Sequence, residues 1–231
     1  MTLREEVMMM GRPIAWSQPR TLFSFLSAVS LLVLFGCGVN LGPEQQAPET
    51  QLYTLEYPAP EPTRSPSNRH VLRIETVEAI PFYRTQQIVY KEDPFRRETY
   101  RYHKWQASPG EMVTYLLLRD FRATEMFKAV LSPNSLLAPS HSLEGEIEDF
   151  FEENTDRVWI AVLTLNATLT SEDSPGKGRS VLFQNTYSER EPLTGKCPRA
   201  LSEAMSRAMS RISTQIIGDV QSALSWSNGM N

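Results

Sequence analysis

The 231-residue sequence predicts an α+β fold: a single two-layer domain, its sheet mostly antiparallel or mixed, with two amphipathic helices on one face. Three observations lead there. Runs of alternating apolar and polar residues recur between Leu52 and Tyr187, a capped helix interrupts them at Ser108, and an apolar stripe at spacings of three and four closes the chain. The domain is expected over residues 51–226, with 227–231 as a frayed tail.

Ahead of that domain, residues 1–36 read as a signal peptide. An apolar run from Leu22 to Gly36 follows Arg12 and Arg20 and ends at small residues. Its 15 residues reach about 22 Å as a helix, short of a hydrocarbon core of about 30 Å. A lasting transmembrane anchor is therefore the weaker reading. Leu34-Phe35-Gly36-Cys37 resembles a bacterial lipobox, in which the Cys37 thiol takes a diacylglyceryl group, the leader is cut before it and the new amine is acylated, palmitate being a typical chain. Several acyl chains at about 0.8 kcal/mol per buried methylene hold a protein on a membrane stably. An ordinary cleaved signal with Cys37 nearby is the competing reading. Glu5 and Glu6 are unusual in such a leader, and a start at Met8, Met9 or Met10 would give a cleanly positive opening. Residues 37–50, lipidated cysteine followed by Gly, Pro, Gln and Glu, read as a flexible tether reaching about 20 Å. Gly38 stands behind Cys37 where Asp would retain an enterobacterial lipoprotein at the inner membrane, so the periplasmic face of the outer membrane is expected.

Without residues 1–36 the chain loses three arginines and two glutamates and carries a net charge of −5. No basic surplus exists to neutralise phosphates, which argues against nucleic acid and against electrostatic docking on anionic lipid. The only other cysteine is Cys197. If Cys37 is acylated Cys197 has no partner within the chain; if it is not, a bridge between them becomes available.

Within the domain, Leu52 to Leu55 reads as a first strand, and Pro58, Pro60, Pro62 and Pro66 bar regular structure after it. Val71 to Val77 reads as a second strand, broken at Ile80-Pro81. Gln87 to Tyr90 and Thr99 to Tyr102 follow, joined through Asp93-Pro94, so this part looks like a meander. Ser108-Pro109-Gly110-Glu111 is a capping box with proline at the first helical position, and Met112, Val113, Leu116, Leu117 and Phe121 form the apolar stripe of a helix ending near Thr124. Phe127 to Leu131 can be a strand. Leu143, Ile147 and Phe151 are expected on one face of the next strand, with Glu144, Glu146 and Glu148 on a wet face. From Val158 to Thr170 the alternation is the longest in the chain and marks a central strand, which Ser174 to Gly178 turns into Val181 to Tyr187 as a hairpin. A last helix is expected from Pro198 to Leu224, burying Leu201, Met205, Ala208, Ile212, Ile216 and Val220 and turning Ser206, Ser210 and Ser213 outward.

Candidate chemistry is sparse. His70, His103 and His141 lie far apart and at no metal-ligand spacing, so no metal is expected. Gly176-Lys177-Gly178 lacks the spacer and helix of a phosphate loop and reads as a turn. Asn166-Ala167-Thr168 is a glycosylation sequon by letters only. Cys197, before Pro198 at a helix start, is either a thiol activated by the macrodipole or, on the blander reading, a buried or half-buried small side chain. Glu144, Glu146, Glu148 and Asp149, with Glu152, Glu153 and Asp156, form either a partner-facing surface or a solvated face that deters edge pairing. Tyr100, Tyr102 and Trp105 read as core rather than ligand-binding residues. No catalytic residue and no cofactor beyond the covalent lipid on Cys37 is expected.

The order of landmarks resembles the ABC-type transport auxiliary lipoprotein family: the lipobox, Leu52-Tyr53-Thr54-Leu55, Pro81-Phe82-Tyr83 leading into Gln87-Ile88-Val89-Tyr90, Tyr102-His103-Lys104-Trp105 before the capped helix, and the Ala200-Leu201-Ser202 helix. Arg84-Thr85-Gln86 stands where relatives more often show an Asp-Arg element. The resemblance implies a periplasm-facing outer-membrane lipoprotein that works with an MCE-domain protein and an inner-membrane ABC transporter in lipid transport, with ATP hydrolysis in another subunit. An envelope assembly or maintenance lipoprotein binding an unrelated outer-membrane partner is the alternative, and a hydrolase using Cys197 the third. The sequence leaves self-association into a homo-oligomer open.

Overall fold

The sheet is organised around its longest strand. In the computed structural model, which describes residues 48–62, 70–155, 158–172 and 178–229, nine strands and two helices follow one another: β1 (Gln51–Tyr53), β2 (Val71–Ile74), β3 (Glu78–Ala79), β4 (Gln87–Asp93), β5 (Arg96–Trp105), α1 (Pro109–Ala123), β6 (Ala129–Leu131), β7 (His141–Asn154), β8 (Trp159–Ser171), β9 (Ser180–Pro192) and α2 (Pro198–Gly229). β7 pairs antiparallel with β8, and β8 antiparallel with β9. On its other edge β7 receives β2, β3 and β4 in turn, all parallel. The mixed, curled sheet of an α+β fold results.

The expected meander is therefore corrected. Only β4 and β5 form the hairpin read from Asp93-Pro94. β2 and β3 are successive segments that climb one side of β7, separated by residues 75–77, and Pro81–Tyr83 forms a 3-10 turn before β4. β1 pairs parallel with β5 and β6 parallel with β2. Sequence neighbours pair by default, so parallel partners remote in the chain leave no local trace.

The Ser108 capping box forms as read, with the Ser108 side chain accepting from the Glu111 N–H and the Glu111 carboxylate from the Ser108 N–H. Helix α1 ends at Thr124, and Glu125 at a φ of 55° turns the chain out through the left-handed region. α1 lies against β2, β3, β6 and β7, α2 against β8 and β9, and the helices touch each other. Val113, Leu117 and Phe121 of α1, Leu201, Met205, Ile212 and Val220 of α2, and Leu143, Ile147, Leu163 and Leu165 of the sheet share one core. Gly110 permits the closest approach: a Cβ there would sit 2.3 Å from the Val77 carbonyl oxygen. The Val77 N–H donates to Thr114 Oγ1 one turn further along the helix.

β7 departs from strict alternation at one point. Ile147 faces Leu165 and Asp149 faces Thr164, so Glu148 is the extra residue of a β-bulge. Beyond it the faces exchange. Phe150 and Glu152, not Phe151, follow Leu143 and Ile147 toward the core, opposite Leu163 and Ala161. Phe151 turns to the other side, where Tyr83 stacks on it with ring centroids 6.2 Å apart and Lys91 Nζ lies 3.5 Å from its centroid.

Candidate functional site

Cys37, its leader and most of its tether lie outside the described residues. What the structure does show is how the segment following the tether is tied down. β1 pairs along β5, the Gln106 N–H donates to the Tyr53 carbonyl at 2.7 Å, and Leu55 is buried. Helix α2 then holds the backbone through serines. Ser202 Oγ donates to the Thr54 carbonyl, and the Glu56 N–H donates to Ser206 Oγ at 2.9 Å. Tyr57 completes the strap by donating its hydroxyl to Asp120 Oδ2 at 2.6 Å, an oxygen that also accepts from Ser213 Oγ at 2.6 Å. Arg119 Nε donates to Asp120 Oδ1 at 2.9 Å, and its Nη1 to the Tyr57 carbonyl at 3.0 Å, with the guanidinium 4.4 Å from the Tyr57 ring centroid. Burial pushes the Tyr57 hydroxyl pKa up, the Asp120 carboxylate adding to it, so the phenol stays a donor. Ser206 and Ser213 are thus buried, not solvent-facing as the helical pattern suggested. No sequence pattern distinguishes a serine that meets a remote strap from one that meets water.

The acidic strand divides at the bulge. Glu144, Glu146 and Glu148 are exposed. Glu144 accepts from Arg179 at 2.6 Å, and Glu148 from Asn166 Nδ2 at 2.6 Å, Asn166 in turn accepting from Thr186. The Glu146 side chain has no hydrogen-bond or ion-pair partner among the described residues and Glu148 only a neutral amide, so of the three only Glu144 has its charge compensated by a cation. Past the bulge, Glu153 pairs with Arg190 at 2.7 Å, while Glu152 is withdrawn from the expected surface altogether. It is fully buried and accepts from Tyr100 Oη at 2.8 Å. Burial raises the Glu152 carboxyl above the ordinary glutamate range, opposed by hydrogen bonds from Tyr100 and Asn154.

The remaining candidates are placed as follows. Cys197 is exposed, against the buried or half-buried reading, and has no disulfide partner among the described residues. His70 and His141, remote in sequence, meet edge to face with centroids 4.7 Å apart. Among the described residues no group of three or more His, Cys, Asp or Glu side chains gathers as metal ligands. Trp105 is buried edge to face against Phe150. No helix among the described residues is long and apolar enough to cross a membrane.

The described residues thus form a strapped α+β body with a carboxylate-rich strand on its sheet. The model of the ABC-type transport auxiliary lipoprotein component matches residues 53–217, and the chain belongs to that family. Among solved structures it is similar to the Xanthomonas campestris protein XCC0632, described as DUF330, at 16% identity and a TM-score of 0.67, covering 78% of this chain and 99% of that one. An uncharacterized protein shares 10% identity at a TM-score of 0.59, covering 74% and 99%. At such identities the likeness shows the fold alone. No curated protein matches the chain.

Proposed function

We propose that this protein is the membrane-held accessory of an ABC transport system that works with an MCE-domain protein and moves lipid between the inner and outer membranes. The observation that carries the reading is the family match from Tyr53 to Ile217, which takes in the strap, the sheet and most of α2. In this reading Cys37 bears the lipid at the periplasmic face of the outer membrane. The strap transmits that attachment to the body, and Glu144, Glu146 and Glu148 meet the transport partner. ATP is hydrolysed in another subunit, so the chain needs neither a catalytic residue nor a cofactor.

Affinity purification of the lipidated chain is expected to recover MCE-domain and ABC subunits, and recovery of neither would refute the assignment. Replacing all three glutamates by glutamine should lower that recovery while leaving the unfolding midpoint unchanged, since none of them is buried. A Cys37→Ser variant should leave the outer-membrane fraction; if it stays there, the anchor is elsewhere.

A further inference from the structure

The direction of β1 bears on what the β4–β5 hairpin does. β1 runs parallel to β5 with Gln51 opposite His103, so the chain arriving at Gln51 comes from the side on which β5 begins. At that end Pro94 and Phe95 make the hairpin turn. From His103 back to Arg96 are seven strand steps, about 23 Å at 3.3 Å each. The 14 residues from Cys37 to Thr50 reach about 20 Å as the flexible chain their composition predicts, and at most about 50 Å. A tether of that length lets a lipid on Cys37 and the hairpin turn reach one membrane surface.

The turn is built for contact. Phe95 is 96% exposed, and its N–H is held by Asp93 Oδ1 at 2.8 Å, so the ring is presented on a fixed backbone. Beside it, a cleft of about 380 Å³ runs between the hairpin and the end of β7, lined by Phe151, Pro94 and Thr155 and by the charged Lys91, Glu92, Asp93 and Glu153. Val158, 45% exposed, stands at the start of β8. Lys91, Arg96 and Arg97 are balanced by Glu92, Asp93 and Glu98, and Arg96 is paired with both glutamates. A neutral, aromatic tip suits the boundary between headgroups and acyl chains better than a charged partner.

We propose that Phe95 seats the β4–β5 hairpin in the surface of the membrane that holds the lipidated Cys37, so that the domain stands on two points. This rests on the anchor assigned to Cys37. Once the anchor is in place the second contact is intramolecular, and one aromatic ring suffices. β7 runs parallel to β4, toward the hairpin turn, so its start and the exposed Leu136 face away from the membrane.

The test uses the full lipidated chain in vesicles of phosphatidylethanolamine and phosphatidylglycerol containing headgroup-depth nitroxide quenchers. In a Cys197→Ser background an environment-sensitive fluorophore is placed at Phe95→Cys or, separately, at Leu136→Cys. Flotation with the vesicles reads the anchor alone. The expected result is flotation of both, with the probe at 95 in contact with the quenchers about tenfold more than the probe at 136, and the same result in purely zwitterionic vesicles. Flotation with equal quenching at the two positions overturns the hairpin contact and leaves the anchor standing. Protection of position 95 only after a transport partner is added overturns it in favour of a protein contact. Failure to float overturns the anchor and the contact with it.

Discussion

Replacing Asp120 with alanine removes the acceptor on which the Tyr57 and Ser213 hydroxyls and the Arg119 guanidinium converge. Asp120 is fully buried and Ser213 nearly so, while Tyr57 and Arg119 are half-buried, so its loss leaves a small void and strands the Ser213 hydroxyl without its acceptor. Removing one partner of a buried charged pair costs about 3 to 5 kcal/mol. In a domain of this size each kcal/mol lowers the thermal midpoint by about 2–4 °C, which makes the expected drop about 6–20 °C. Asp120→Asn keeps an oxygen acceptor but loses the charge, and should cost about 1.5 to 3 kcal/mol. Urea and thermal unfolding read both values. Hydrogen exchange reads the location, because the Glu56 N–H is bonded to Ser206 across the same strap and should lose protection in the alanine variant first. A loss under about 1 kcal/mol, or unchanged protection at Glu56, would refute the strap as a load path between tether and body.

Two further predictions concern stability. Gly110→Ala drives a Cβ into the Val77 carbonyl and should cost about 1 to 3 kcal/mol, whereas Gly218→Ala on α2 meets nothing within 4 Å and should gain about 0.8 to 1 kcal/mol; equal effects on the unfolding midpoint would contradict the docking of α1 described here. The raised Glu152 carboxyl is a liability that grows with pH. Its folded pKa lies above its unfolded one, so its contribution to stability is present below about pH 4.3 and lost as pH rises through the folded value. Glu152→Gln should therefore raise the midpoint near neutral pH, with the gain shrinking as pH falls toward 4, and a gain independent of pH would show that ionisation is not the cause.

What the sequence declared openly were features whose cause is local. Ser108 and Glu111 cap a helix because they sit three residues apart, and Trp159 to Thr170 alternates because one strand face fills the core while the other carries polar residues, Asn166 and Thr168 half-buried and Thr164 and Thr170 buried. What stayed hidden depends on partners remote in the chain. Nothing near Ser213 announces Asp120, nothing near His70 announces His141, and Cys197 could be placed at a helix start but not inside or outside. Gly110 did carry a signal, since glycine in a first helical turn invites the question of what comes close. The adjacent Phe150 and Phe151 carried another: two large apolar residues in succession cannot both face the core from a regular strand, so they mark burial on both faces or a slip in alternation.

That slip leads to a test that separates charge from geometry on β7. Because Glu148 is the extra residue, deleting it joins the Ile147–Leu165 and Asp149–Thr164 pairs into one uninterrupted ladder. Every side chain on both sides keeps its face, and the losses are the Asn166 bond and the local twist. On the opposite edge β3 and β4 are separate segments divided by the 3-10 turn, so either can follow β7 without dragging the other. Deleting Glu146 removes the same charge and chain length but shifts the stretch before Ile147 by one step. Leu143 would turn outward and Glu144 inward, the leucine alone worth about 1.5 to 3 kcal/mol, with an unpaired carboxylate added to the core. The Glu148 deletion should therefore fold with a midpoint near that of the parent, and the Glu146 deletion should fail to accumulate. If both are tolerated, β7 is free to slip in register, and its exposed carboxylates cannot present a fixed surface to any partner.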